Sequence, residues 1–570
     1  MNVKRMLEKE FFPKELPPPF NTTSFADKAQ YVYTQWINLQ NIEKVLLPGE
    51  SNNAMKLRFA NAFDIYGSSK YLTFSLAKGL YSRRKLGIIN PKQYHDLSKM
   101  IVENWPTIRA TYNLSEISAS TPVENNASRA VRTKSESVNN FKFLLIEKSF
   151  NKRYELRLDI AQFYPTIYTH GIPWAILGKE MAKRYFAQKT NRTTTWSTIV
   201  AADPNAATYD FCDKLDMLVR NCQERQSVGL PIGPDAFFIL AEIIANRIDN
   251  EITSKLTALD YTATRYYDDY YFYTNTYNDA EQILKVTQHV LNEFQLETNE
   301  SKVKIKNLPF SFESNWVPKL STFKFNTVSK FEIRNFFSIL FNLIEENPKD
   351  SSWIIGYALT RFEYGNTRIQ NPDWDFFLNL IIKTLLIDSS NIDQFLRILL
   401  TYQIFLTPKS KNKISDILHR IIKEHLILNH SFEVSWALWI LKTLNVKCEN
   451  ELIKSVLQSE DYVSRLICLD IHSRRLIKNN TISLNPLALR LNTDDLFSEK
   501  WLYTYEAIVQ NWLSPTRNII QGHKYFELLR NQNVKFYDTT KQIDTHFEIG
   551  AAAAPIVPIV AEGGGNGAAY

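Results

Sequence analysis

Cysteine is scarce in this chain of 570 residues: Cys212, Cys222, Cys448 and Cys468 are the only four. No two form a Cys-x-x-Cys pair, so cysteine spacing suggests neither a zinc site nor a disulfide framework, and a reducing cytoplasm is expected. An apolar leader is also missing, since Met1–Met6 runs straight into charged residues. Long hydrophobic runs are absent. The most apolar stretch, 376–387, is broken by Lys383 and is too short to cross a bilayer, so no membrane partner is expected. Charge of one sign is not in large excess: 67 Lys and Arg stand against 60 Asp and Glu, a net +7 that is compatible with nucleic acid without being diagnostic of it. No strict internal period is visible. The chain is 44% apolar and 22% charged, a globular composition long enough for two or three domains.

The most informative segment is Arg265-Tyr266-Tyr267-Asp268-Asp269-Tyr270-Tyr271-Phe272-Tyr273. Aromatics favour a pleated surface, and two carboxylates between them favour a turn. The expectation is a β-hairpin with both acids exposed at its tip. Adjacent like charges repel, and a divalent cation removes that objection. A third carboxylate, Asp159, ends the alternating stretch Tyr154-Glu155-Leu156-Arg157-Leu158-Asp159, and Pro165 stops regular pairing beyond it. On adjacent strands, Asp159, Asp268 and Asp269 would form a cage for two Mg2+ ions, which prefer carboxylates together with substrate phosphates.

At these residues the chain resembles a reverse transcriptase. Asp159-Ile160-Ala161-Gln162-Phe163-Tyr164, Gly229-Leu230-Pro231-Ile232-Gly233-Pro234, Tyr266-Tyr267-Asp268-Asp269 and Thr298-Asn299-Glu300-Ser301-Lys302 match four polymerase motifs in order. The stretches 163–175 and 229–242 are similar to the bacterial abortive-infection, defence-associated subgroup, and Ile232 stands where other reverse transcriptases carry Gln. The resemblance implies catalysis by Asp159, Asp268 and Asp269, with metal held by these and Ile160. It implies two Mg2+ ions as cofactor, with Mn2+ as a substitute. Tyr164 is expected as a steric gate, and Gly233, Lys302, Arg129 and Arg132 as nucleotide-binding residues. The implied partners are dNTPs and a DNA product, with or without an RNA template. Tyr570 is a candidate priming hydroxyl, because some relatives attach product to protein.

The expected architecture is an α/β (α+β) right-hand polymerase, fingers then palm, followed by an all-α HEAT-like helical domain. The expected divisions are 1–150 for the N-terminal region and fingers, 151–330 for the palm, 331–545 for the helical domain and 546–570 for a flexible Ala/Gly/Pro tail. Helices are expected from about Pro173 and over 237–250 and 280–293. Further apolar helical runs follow from 336 onward, with Trp436 and Trp439 in their core. By resemblance the helical domain can drive homo-oligomerisation. His170 is expected as a buried hydrogen-bonding residue. Two rival readings are an RNA-directed RNA polymerase and a catalytically inactive helical scaffold. Tyr267, where the former usually has Gly, argues against the first. Retention of three carboxylates and Lys302 argues against the second.

Overall fold

The computed structural model describes residues 1–63, 67–78, 82–125, 129–135, 137–191, 195–521, 523–547 and 549. Tyr570 and the tail around it lie outside the described residues. Two hairpins precede the main sheet. β1 (Leu72–Lys78) pairs antiparallel with β2 (Ser82–Ile88), and β3 (Pro122–Glu124) pairs with β4 (Val131–Thr133). The β1–β2 hairpin falls within the stretch expected as the N-terminal region and fingers. Its signal is the period of two that buries Leu72, Phe74 and Leu76 on one face.

The main sheet is antiparallel with strand order β6-β7-β5-β8, built from β5 (Tyr154–Asp159), β6 (Tyr261–Tyr266), β7 (Asp269–Thr274) and β8 (Lys304–Asn307). Leu156, Leu158, Tyr270 and Phe272 share one face, since register pairs Leu156 with Phe272 and Leu158 with Tyr270. All four are buried. The opposite face carries Glu155, Arg157, Tyr271 and Tyr273, covered by α1 (Val138–Ser149) through Phe141 and Leu145 and by Phe310 and Phe312. Because both faces are covered, Glu155 is fully buried, although alternation alone would leave it in solvent. Arg157 neutralises it, with Nε 2.6 Å from Oε1. α2 (Asp235–Lys255) and α3 (Tyr277–Glu293) pack together, and α3 contacts β5 and β7. The helix Pro204–Asn221, capped by Asp203, was not anticipated from the sequence.

Beyond residue 330 the labelled helices form two rows. They are α4 (Lys330–Glu346), α5 (Ser351–Glu363), α6 (Asn371–Ile387), α7 (Ile392–Thr401), α8 (Pro408–Leu426), α9 (Ser431–Thr443), α10 (Asn450–Gln458), α11 (Tyr462–Ser473) and α12 (Trp501–Val509). Packing skips one helix at a time: α4 on α6, α6 on α8 and α8 on α10 in one row, and α5 on α7, α7 on α9 and α9 on α11 in the other. Trp436 and Trp439 are both buried, and Trp436 Nε1 donates to Glu15 O at 2.8 Å. Among the described residues no helix is long and apolar enough to cross a membrane.

The helical rows close back onto the start of the chain. Phe74 of β1 meets Phe432 of α9 edge-on, and Trp501 of α12 donates from Nε1 to Ile88 O at 3.2 Å. Asn90 Nδ2 donates to Leu496 O at 2.8 Å. Residues 534–538 then return to the N-terminal segment, where Asn21 N–H donates to Phe536 O and Phe20 bridges Tyr537. Trp501 is fully buried and packs against Phe12 and Phe536. Trp501→Ala is expected to lower stability by about 3–5 kcal/mol, as for other buried Trp truncations. Chemical denaturation read by circular dichroism checks this, and an unchanged midpoint would contradict the packing described.

Candidate active site

β5 ends on Asp159, and antiparallel register sets Asp269 directly opposite it. Asp268 lies in the two-residue turn between β6 and β7. That turn is made possible by Tyr267, whose φ of 55° lies in the left-handed region that bulky residues normally avoid. Two hydrogen bonds hold this backbone in place. Arg265 Nη1 donates to Tyr267 O at 2.8 Å, and Tyr267 N–H donates to Ser120 Oγ at 2.9 Å. Ile160 N–H donates to Asp268 O at 3.1 Å, which ties the end of β5 to the turn. As a result, ligand oxygens of Asp159, Asp268 and Asp269 lie within 4.8 Å of one another.

Arg265 is itself fully buried on the face toward α2. It bonds Glu242 (2.9 Å) and Asp249 (2.8 Å), and Tyr270 donates its hydroxyl to Asp249 at 2.8 Å. Ser120 Oγ also donates to Glu242, at 2.9 Å. Sequence reasoning missed this cluster, because Glu242 and Asp249 read as ordinary helix residues. The seven-residue spacing of two acids on the buried face of an apolar helix was the available signal.

The acids are half-buried rather than exposed at a tip, and this changes their charge state. Burial first, and then the charges of Asp268 and Asp159, push the Asp269 carboxyl up to about 7. Burial, followed by Asp159, raises Asp268 as well. Lys302 supplies compensation, with Nζ 3.0 Å from Asp159 Oδ1. Burial works against the Lys302 ammonium, but its bond to Asp159 and the acid charges outweigh that and raise its pKa. Asn299 Nδ2 donates to Asp159 Oδ2 at 3.1 Å, and Asn299 N–H donates to Asp159 O at 2.8 Å. Three crowded carboxylates, two of them (Asp268 and Asp269) with raised affinity for protons, form an all-oxygen donor set. Such a set suits a hard divalent cation such as Mg2+ better than a soft metal.

The acids open into a cleft of about 930 Å³. Lys78 and Arg84 line it from the β1–β2 hairpin, where they lie diagonally across one face. Burial, and next the charge of Arg84, lower the Lys78 ammonium. Trp353 and Tyr357 of α5 also line the cleft. Strand alternation along the basic run Arg83-Arg84-Lys85 sends only Arg84 into the cleft.

The other sequence candidates fall as follows. Tyr164 is buried, and the charge of Asp268 contributes to its raised pKa behind burial and Glu242. Gly233 has φ 123°, and a Cβ there would lie 3.1 Å from Pro13 Cγ, so its glycine is already required by packing within the chain. Arg129 is not brought to the carboxylates; its Nη2 lies 2.5 Å from Asp235 Oδ1. Arg132 is exposed on β4. Neither arginine is among the described residues lining the cleft. His170 is partly exposed and bonds Asp216 through Nδ1 at 2.9 Å, in place of the buried setting expected.

A carboxyl whose pKa is raised on folding binds protons more tightly in the folded state. Its unfavourable contribution is therefore absent at low pH and grows as pH rises from the ordinary carboxylate range to about 7. The metal-free protein is expected to melt at a lower temperature at about pH 8 than at about pH 5 because of this site, and Mg2+ is expected to restore more at the higher pH. Asp269→Asn is expected to flatten both differences. Thermal melts in EDTA and in Mg2+ check this, and equal Mg2+ stabilisation of wild type and variant at both pH values would contradict it.

Comparison with solved structures gives remote likenesses. Telomerase from Candida albicans, in complex with a TWJ fragment of telomeric RNA, is 11% identical over 72% of this chain and 66% of that one, with a TM-score of 0.27. Apo telomerase from Candida tropicalis is 12% identical over 70% and 67%, also with a TM-score of 0.27. This chain thus spans about two thirds of the length of these telomerase chains. No curated protein matches. The family model for reverse transcriptase (RNA-dependent DNA polymerase) matches residues 89–327, the stretch that holds all three carboxylates, Tyr164, Gly233 and Lys302, and this segment is a domain of the reverse transcriptase type.

Proposed function

We propose that this protein is a reverse-transcriptase-like DNA polymerase that joins dNTPs at Asp159, Asp268 and Asp269. The observation that carries the reading is the convergence within 4.8 Å of Asp159 with the adjacent pair Asp268 and Asp269, which lie 109 and 110 residues further along the chain. Asp159, Asp268, Asp269 and the backbone of Ile160 would hold two Mg2+ ions, or Mn2+ in their place, which when bound supply charge neutralisation around the transferring phosphoryl group. Lys302, anchored on Asp159, would neutralise or protonate the departing pyrophosphate. Lys78 and Arg84 stand where a triphosphate would need positive charge, and they replace Arg129 and Arg132 in that role. The ring of Tyr164 would lie beneath the sugar and exclude a 2′-hydroxyl.

An antiphage role is part of the proposal and rests on the similarity of residues 163–175 and 229–242 to defence-associated enzymes. Ile232 supports non-templated synthesis, with an RNA-templated reaction as the alternative. Protein priming through Tyr570 is the corresponding proposal for initiation. We read the helical rows as HEAT-like on the strength of their alternate packing, and as the surface for self-association, where Ile404, Ile427 and Leu428 stand exposed. Four buried, unpaired cysteine thiols support a cytoplasmic setting.

The purified protein with Mg2+ and single labelled dNTPs, with and without RNA, is expected to make DNA, and protease sensitivity of the product reports attachment to protein. Asp268→Ala with Asp269→Ala is expected to remain folded and to lose incorporation by at least about a thousandfold, because electrostatic stabilisation is removed. Wild-type rates in that variant would refute the site. Tyr164→Ala is expected to raise ribonucleotide use relative to deoxynucleotide. An unchanged ratio of kcat/KM values for the two substrates would remove Tyr164 from that role.

A further inference from the structure

A second cluster of ligating side chains lies far from the carboxylate cleft in sequence, where α8 turns into α9. His425, His430 and Glu433 each offer an atom within 4.8 Å of the others. The turn is rigidly specified. Asn429 takes φ 54°, and His430 N–H donates back to His425 O at 3.1 Å, so the two histidines are fixed side by side. His430 precedes the first turn of α9, and Val434 N–H donates to His430 O. The two imidazoles face one another through Nδ1, 2.9 Å apart. Two such nitrogens repel through their lone pairs unless a proton or a cation lies between them.

The surroundings of the cluster fit a cation. The far nitrogen of His425, Nε2, lies 3.0 Å from Ser389 Oγ, the arrangement that fixes a ligating histidine with its proton on the other nitrogen. Glu433 is buried, and Arg83 of β2 holds it bidentately, with Nη1 2.6 Å from Oε1 and Nη2 2.8 Å from Oε2. A carboxylate has about four acceptor positions, so this leaves one on each oxygen for a metal. Arg83 is anchored in turn by Nη2 donating to Ser75 O at 2.8 Å. Zinc–nitrogen bonds of about 2.0–2.1 Å at a tetrahedral angle separate two nitrogens by about 3.3 Å, so an opening of a few tenths of an ångström admits the ion.

We propose that His425 Nδ1, His430 Nδ1 and Glu433 bind a borderline transition-metal ion of the zinc class, which staples the α8–α9 turn and, through Glu433 and Arg83, the β1–β2 hairpin. Two imidazoles and a carboxylate select such an ion over Mg2+, which prefers oxygen alone. A water would complete the fourth position. The hairpin held on one side by Arg83 carries Arg84 on its other side into the polymerase cleft. The site would therefore stiffen the strand pair that borders the carboxylates without touching them.

The test uses the full chain carrying Asp268→Asn and Asp269→Asn, so that the polymerase carboxylates cannot account for binding. After EDTA treatment, Co2+ titration is expected to give one equivalent of intense visible d–d absorption, displaced by Zn2+. Zn2+ is also expected to raise the melting temperature. His430→Gln in the same background is expected to abolish the absorption and the Zn2+ effect while its melt in EDTA stays unchanged. X-ray absorption of the zinc-loaded protein provides a readout that does not depend on that variant folding, and it is expected to show two imidazoles in a mixed nitrogen and oxygen shell. Absence of the band, its persistence in His430→Gln, or a shell without imidazole would each overturn the proposal.

Discussion

The site depends on a charge that never meets solvent. Arg265 is fully buried between Glu242 and Asp249, so the cluster holds one cation against two anions. The surplus negative charge is dispersed over hydroxyls: Tyr270 and Ser115 donate to Asp249, while Ser118 and Ser120 donate to Glu242. Such a cluster is weak evidence for net stability, because desolvating three ions costs as much as their attraction returns. Its effect is on geometry. The guanidinium fork that satisfies the acids also donates from Nη1 to Tyr267 O, and this bond fixes the turn that presents Asp268. Lysine could not substitute, because it lacks the planar fork that reaches both acids and the carbonyl together.

Around the carboxylates, the chain leaves the local charge unbalanced in a controlled way. Lys302 and Asn299 satisfy Asp159, while burial first, and then the neighbouring carboxylates, raise the proton affinity of Asp268 and Asp269. Lys78 and Arg84 line the same cleft, and the charge of Arg84 adds to the burial that depresses Lys78. Opposed deficits of this kind are resolved together by a ligand carrying a cation at one end and an anion at the other. The division of labour on β2 follows from the strand alone. Arg83 and Arg84 are neighbours in sequence, and the pleat sends one to the helical rows and the other to the cleft.

Much of this was legible in the sequence. Asp159 and the Asp268–Asp269 pair stood out because strand alternation, a turn between aromatic runs and ordered motifs all pointed to the same residues. Helical runs were legible where apolar spacing was dense, as at 351–363 and 431–443. Arg129 was expected as a nucleotide-binding residue because burial depends on what packs above it, and Asp235 and Glu10, 106 and 119 residues away, are invisible to local pattern. The half-burial of the acids was missed for the same reason: the segments that cover that sheet face, 138–149 and 310–312, are separate stretches of chain. The His425–His430–Glu433 group needs a left-handed residue at Asn429 to bring its rings together, and composition does not announce it.

The return of residues 534–538 onto Asn21 and Phe20 has a consequence for synthesis of the protein. Phe12, Phe25, Trp501 and Phe536 share one aromatic core, assembled from segments more than 470 residues apart. A nascent chain cannot complete that core until residue 536 has emerged from the ribosome. Until then Phe12 and Phe25 lack their Phe536 partner, and Ile88 has to wait for Trp501 before the β1–β2 wall is buttressed. Completion of the wall beside the carboxylate cleft is thereby deferred until residue 536 is available, and exposed rings of this kind favour non-native contacts in the interval.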